Sequence, residues 1–261
     1  MSAHTNLEMF ALALIIGVAR TFGTFAFLPF LSRQNTTALI RISVSVALAL
    51  PAVPIIASSL PPGNLEIGSL LAVLAREFVL GILLGFGIAV PFWAAEAIGF
   101  VISNQSGATL ASIINPTSGN DSSDLAMLIY QAYVVLFLSS GGLERLVDLL
   151  CQSYAAFPVS TSLLSFTPDF PRHFLGLLDQ LVRTGIGIAA PAMIVMLLAE
   201  FGLGIISLFA PQMQVFFLAM PVKAAAALFV LVLYFPTMME YLYPSITALP
   251  ELLKALSRIV Q

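Results

Sequence analysis

Charge is scarce in this chain. Only 9% of its 261 residues are Asp, Glu, Lys or Arg, where a soluble domain carries roughly 25%. So few charges cannot build an ordinary water-facing surface, and a soluble globule is excluded. Basic tracts are missing too. The net charge is −3 and the isoelectric point about 5.3, so a nucleic-acid backbone would find no cations here. Histidine occurs twice, as His4 and His173, and cysteine once, as Cys151. A single cysteine forms no internal disulfide. Set among Leu149, Leu150 and Tyr154, it reads as a small apolar filler. No HExxH, GxSxG or phosphate loop occurs. No catalytic residue, metal ligand or cofactor is therefore expected, and neither is an enzyme.

What the chain has in abundance is apolar length. It is 59% hydrophobic, with a mean hydropathy of +1.02. Charge-free runs cover 42–65, 78–95, 125–143, 184–199, 201–222 and 224–239; a spanning helix needs about 20 mainly apolar residues. No run alternates with period two, so a barrel is not expected. The pattern predicts helices over 7–31, 37–58, 66–90, 92–113, 123–140, 142–156, 173–199, 200–234 and 247–260. The fold class is all-α: a multi-helix, membrane-associated protein with kinked helices and helical hairpins. Residues 1–8 hold no basic region and no cleavage site follows, so Leu7–Leu31 reads as a retained helix rather than a signal. Pro51, Pro54, Pro91, Pro191, Pro211, Pro221 and Pro236 interrupt apolar segments, where each predicts a kink or break.

Against this background the remaining charges are conspicuous. Arg20, Arg41, Arg76, Glu77, Glu96, Arg183, Glu200 and Lys223 lie in or beside apolar stretches. An unpaired Arg at a bilayer centre costs about 2.5–3.5 kcal/mol on the mildest scale. These charges therefore call for burial between protein surfaces or for a water-filled path. Arg76 and Glu77 are adjacent, so they point to different helix faces and are not expected to pair. Glu96 and Glu200 read either as proton-relay carboxylates or as halves of ion pairs at helix contacts. Gly81, Gly85 and Ala89 form a ridge of small residues for close helix packing, and Gly185 with Ala189 begins another. The GIGIAA string at 185–190 has no strand and turn before it, so it is no dinucleotide site.

Three polar loops punctuate the chain. Pro61–Asn64 is a turn, and Thr167–Arg172 divides the chain in two. The longest runs from Asn104 to Asp124; its turn formers enclose Leu110, Ile113 and Ile114, which suits a loop that packs into something. At the end, Leu249, Leu252, Leu253, Leu256 and Val260 share a stripe, with Glu251, Lys254 and Arg258 opposite or beside it. This amphipathic helix, 247–260, is too short to span and is expected on a membrane surface or a partner.

Three blocks in order carry a resemblance. The first is ARTFGTFAFLPFLSRQNTTALIRISVSVALAL (19–50), with Arg20, Pro29 and Arg41. The second is REFVLGILLGFG (76–87), continuing through AEAIGFVISNQSGATLASIINPTSG (95–119). The third is APQMQVFFLAMPVKAAAAL (210–228), with Pro211, Gln212, Pro221 and Lys223. Together they resemble the FliR/SctT family, the T component of the type III secretion export gate. The resemblance implies a structural channel subunit in a helical hetero-oligomeric assembly, guiding unfolded proteins across the bacterial inner membrane and projecting into the periplasm. It implies FliP/SctR-type and FliQ/SctS-type partners, with FlhB/SctU-type and FlhA/SctV-type subunits and secreted polypeptides in transit. It implies a FliP-like part, 1–167, and a FliQ-like hairpin part, 168–261. The loop matching Asn104, Gln105, Gly107, Leu110, Ile113, Ile114, Asn115, Pro116 and Gly119 would plug the closed channel. Arg20, Pro29, Arg41, Glu77, Glu96, Pro211, Gln212, Pro221 and Lys223 would be assembly contacts. Asn104–Gly107 looks closer to the injectisome branch, although Ser106 stands where many of its members carry a basic residue. Two rival readings remain at this point: a multi-pass secondary transporter of a small solute, which predicts an internal repeat, and an intramembrane enzyme, which needs a paired catalytic constellation.

Overall fold

The computed structural model describes residues 2–28, 37–60, 67–107, 123–160, 164–210 and 215–260. The described chain is helical throughout. Its helices are α1 (Ser2–Phe25), α2 (Ala38–Ala49), α3 (Val53–Ser59), α4 (Ile67–Ser106), α5 (Asp124–Ser139), α6 (Gly142–Ala156), α7 (Phe170–Phe209), α8 (Val215–Thr247) and α9 (Leu249–Ile259). Phe166 and Val260 form an isolated antiparallel bridge.

The prolines act unequally. Pro51 and Pro54 do interrupt: Leu50–Ala52 is a 3-10 turn between α2 and α3. Pro91 and Pro191 do not, and lie inside continuous helices. The separate helices expected at 66–90 and 92–113 are therefore one helix, α4. The boundary expected at 199–200 falls instead between Phe209 and Val215. A proline ring crowds the carbonyl four residues earlier. Those positions are Gly87 and Gly187, where no side chain opposes the tilt. Pro221, Pro236 and Pro244 are likewise inside α8.

The chain divides into two compact units. The first comprises Met1–Val90, Leu138–Leu177 and Ser245–Gln261. Its core joins Ala13 and Ile16 of α1, Ala52, Val53 and Ile56, and Tyr154 and Val159, with Cys151 packed against it as an apolar filler. The small-residue ridge of α4 meets α1 backbone to backbone. A Cβ added at Gly81 would collide with the carbonyl oxygen of Arg20, and one at Gly85 with that of Thr24. Gly23 of α1 sits equally close to the carbonyl of Phe78. Aromatic rings run in sequence from Phe27 to Phe86 (5.8 Å), Phe174 (5.3 Å), Phe170 (4.7 Å) and Phe166 (4.6 Å).

Helix α9 departs from its expected place. It packs on α6 of the same chain, burying Leu249, Leu253, Leu256 and Ile259. Leu252 covers Gly87, and the Thr167 amide donates to the Ile259 carbonyl at 2.9 Å. An amphipathic stripe requires an apolar surface, and here the chain supplies one itself.

The second unit comprises Pro91–Phe137 and Leu178–Pro244. Here α4 and α5 run antiparallel in a regular register. Phe92 meets Tyr133 edge-on at 4.8 Å, Gly99 abuts the backbone at Ala126, and the Ser103 and Ser123 hydroxyls are hydrogen-bonded. Gly185 of α7 faces Ala97 of α4, with 3.3 Å left for an added Cβ.

Five described segments are long and apolar enough to cross a membrane: Leu7–Phe25, Ala38–Ser59, Ile67–Ser106, Phe170–Phe209 and Leu218–Thr247. Helices α5 and α6, bent by 70°, form a further broken pair. The two longest go far beyond what a bilayer requires. Helices α4 and α7 have 40 residues each, or about 60 Å at 1.5 Å per residue, against a hydrocarbon core of about 30 Å.

Candidate functional site

The charges of the first unit converge. Arg20, near the C-terminal end of α1, is completely buried, and so is Glu77 of α4. Nε and Nη2 of Arg20 both reach Oε2 of Glu77 at 2.6 Å. Nη1 donates to Ser153 Oγ at 2.8 Å, and Nη2 also donates to the Phe157 carbonyl at 3.0 Å. The Tyr154 ring lies under the guanidinium, 3.7 Å from its carbon, and the Tyr154 hydroxyl donates to the Gly17 carbonyl at 3.3 Å. Arg76 completes the group: its Nη1 reaches Oε1 of Glu77 at 3.0 Å. Adjacent residues were expected not to pair, but arginine is long enough to curl back to its neighbour's carboxylate when α1 holds that carboxylate in place.

The arrangement does structural work. A guanidinium offers five donors in a fixed fork, and here the fork ties α1 to α4 and to the C-terminal end of α6. The close backbone approach at Gly81 and Gly85 brings α1 near enough for Arg20 to span the gap. Thr21 Oγ1 extends the tie to α2 through the Ser45 carbonyl, 3.2 Å away.

The other sequence-level candidates are more dispersed. Arg41 of α2 is half-buried above the Phe22 ring at 5.6 Å, and its Nε lacks a partner among the described residues. In the second unit Lys223 pairs with Glu200 at 3.3 Å across α7 and α8. Arg183 pairs with Asp179 at 2.7 Å on the exposed side of α7. Glu96 is exposed on α4, and Pro221 lies within α8. Of the long loop, Asn104, Gln105 and Gly107 are described. Gly107 ends α4 with φ +88°, a left-handed turn that favours glycine. The facing Met220 Cγ is 3.3 Å from where its Cβ would be. Leu110, Ile113, Ile114, Asn115, Pro116 and Gly119 lie outside the described residues, as do Pro29, Pro211 and Gln212.

Sequence reasoning missed Ser153, Tyr154 and Phe157, because small polar and aromatic residues in an amphipathic helix carry no sign of a distant arginine. An Arg in α1 and a Glu in α4 were visible separately; their pairing across 57 positions was not.

The fold defines a helical membrane protein in which Arg20, Arg76 and Glu77 form a buried network between helices. The profile of the bacterial export proteins, family 1, matches residues 11–248. The chain belongs to this family. It is 36% identical over 223 residues to Yop proteins translocation protein T of Yersinia pestis, covering 85% of each chain. It is 33% identical over 240 residues to secretion system apparatus protein SsaT of Salmonella typhimurium (strain LT2), covering 90% of this chain and 91% of that one. With flagellar biosynthetic protein FliR of Escherichia coli (strain K12) the identity is 25% over 201 residues, covering 74% and 72%.

Proposed function

We propose that this chain is a structural channel subunit of a type III secretion export gate, guiding unfolded proteins across the bacterial inner membrane without catalysis of its own. The observation that carries the reading is similarity along nearly the whole chain to proteins named for translocation and secretion apparatus. The higher identity to these than to the flagellar relative favours a non-flagellar secretion system. The two 40-residue helices fit the same reading. Apolar helices about twice as long as the bilayer core is thick need cover from other subunits wherever they leave it. FliP/SctR-type and FliQ/SctS-type subunits would give that cover, in an assembly that projects into the periplasm. Residues 1–167 would be the FliP-like part and 168–261 the FliQ-like part, with the 104–124 loop closing the channel. Arg20 and Glu77 would act on assembly by fixing the shape of their own subunit, whereas Arg41, Glu96 and Lys223 would meet neighbours.

Gene deletion tests the proposal. Loss of the chain should abolish export of the system's substrates into the medium while other secretion continues, and a plasmid copy should restore it. Continued export in the deletion strain would refute the reading.

A further inference from the structure

The antiparallel register of α4 and α5 contains one polar step. Phe92 faces Tyr133, Gly99 abuts Ala126, and Ser103 pairs with Ser123. Between the first two contacts this register sets Glu96 opposite Tyr130, and the two groups lie within electrostatic reach. The Tyr130 hydroxyl is buried and has no hydrogen-bond partner among the described residues. No ion pair among the described residues involves Glu96, and its carboxylate is exposed. Phe100 follows one turn along α4 and Met127 precedes Tyr130 by one turn on α5; they are 47% and 48% exposed. The surface is thus an apolar seam holding one unneutralised carboxylate and one idle hydroxyl.

We infer that the Glu96–Tyr130 step is the docking point for a basic side chain, Lys or Arg, carried on a helix of a neighbouring gate subunit. The inference rests on the export-gate reading. A carboxylate in so apolar a setting is stabilised by a cation, and the Tyr130 oxygen, once that side chain turns toward the surface, accepts a second N–H from the same group. The distance of Glu96 from the polar end of its helix favours a cation carried on a helix over a lipid headgroup. Glu96 stands ten residues inside the polar end of α4 at Ser106, about 15 Å along the axis, with apolar residues on both sides.

The test uses the chain co-expressed with its FliP/SctR-type and FliQ/SctS-type neighbours. Glu96→Gln keeps the shape and removes the charge, and should weaken association about tenfold or more. Tyr130→Phe should have the same direction and a smaller size. A photo-crosslinking amino acid at position 96 should join a neighbouring subunit at a peptide containing Lys or Arg, and an acidic substitution of that basic residue should restore Glu96→Lys. Undiminished recovery of the Glu96→Gln complex, or crosslinks confined to lipid, would overturn the inference and leave the export-gate reading standing. Failure of the wild-type chain to recover any neighbour would sink both.

Discussion

The two units handle charge in opposite ways. In the first, Arg20, Arg76 and Glu77 are drawn inside and matched to one another and to Ser153 and the Phe157 carbonyl. In the second, the mostly buried Lys223 pairs with a half-exposed Glu200, and the exposed Glu96 has no cation partner among the described residues. Close backbone approach by glycine occurs in both units, at Gly99 in the second as well as in the first, and its extent differs from helix to helix. Gly23, Gly81 and Gly85 press against backbone, while Gly187, Gly202 and Gly204 face open space. The difference teaches that the first unit is organised from within. The long apolar helices of the second keep faces such as Leu198, Phe201 and Phe229 exposed, each by more than 60%, for lipid or for other proteins.

Mutations can break this comparison, and the largest effect is expected at its centre. Glu77→Gln leaves a buried guanidinium short of its counter-charge and should cost about 3–5 kcal/mol. Thermal unfolding in detergent should show a much lower transition, with reduced levels in membranes. A wild-type transition would mean that the network is incidental. Leu256→Ala should follow closely. It removes a buried side chain from the α6–α9 contact and should cost about 2–5 kcal/mol, read in the same melt and as faster proteolysis near the C-terminus.

Gly81→Ala sets a methyl group against the Arg20 carbonyl, so α1 and α4 must separate. Overpacking of this kind costs about 1–3 kcal/mol. Its counterpart is Gly202→Ala, which meets nothing. Replacing an exposed mid-helix glycine should stabilise by about 0.5–1 kcal/mol. Opposite signs at the two glycines would sharpen the contrast between the packed α1–α4 contact and the open face of α7, and equal losses would erase it. The smallest effect is expected at Lys223→Met, since a partly exposed pair contributes no more than about 1 kcal/mol. A large loss of the isolated chain's stability there would show that the second unit also depends on an internal ion pair.

Much of the architecture was legible in the sequence, because apolar runs longer than 20 residues have few ways to satisfy their backbone in a membrane. The Gly81–Gly85–Ala89 ridge was legible for the same kind of reason: only a close neighbour explains such a row. What it packs on was not, since a ridge of small residues does not name the helix that meets it. Pro91 and Pro191 misled because one lost hydrogen bond does not end a helix of 40 residues. The amphipathic stripe of α9 was plain, but a stripe does not name the surface it seeks, and that surface is the chain's own α6. The charges in apolar stretches had called for burial between protein surfaces or for a water-filled path, and Arg20 and Glu77 meet that need within the chain by pairing with each other.

The account stands most directly on one measurement: native mass spectrometry of the chain co-expressed with FliP/SctR-type and FliQ/SctS-type subunits. It predicts a single hetero-oligomeric complex containing this chain together with both subunit types. A monodisperse, partner-free species that binds a small solute would contradict it.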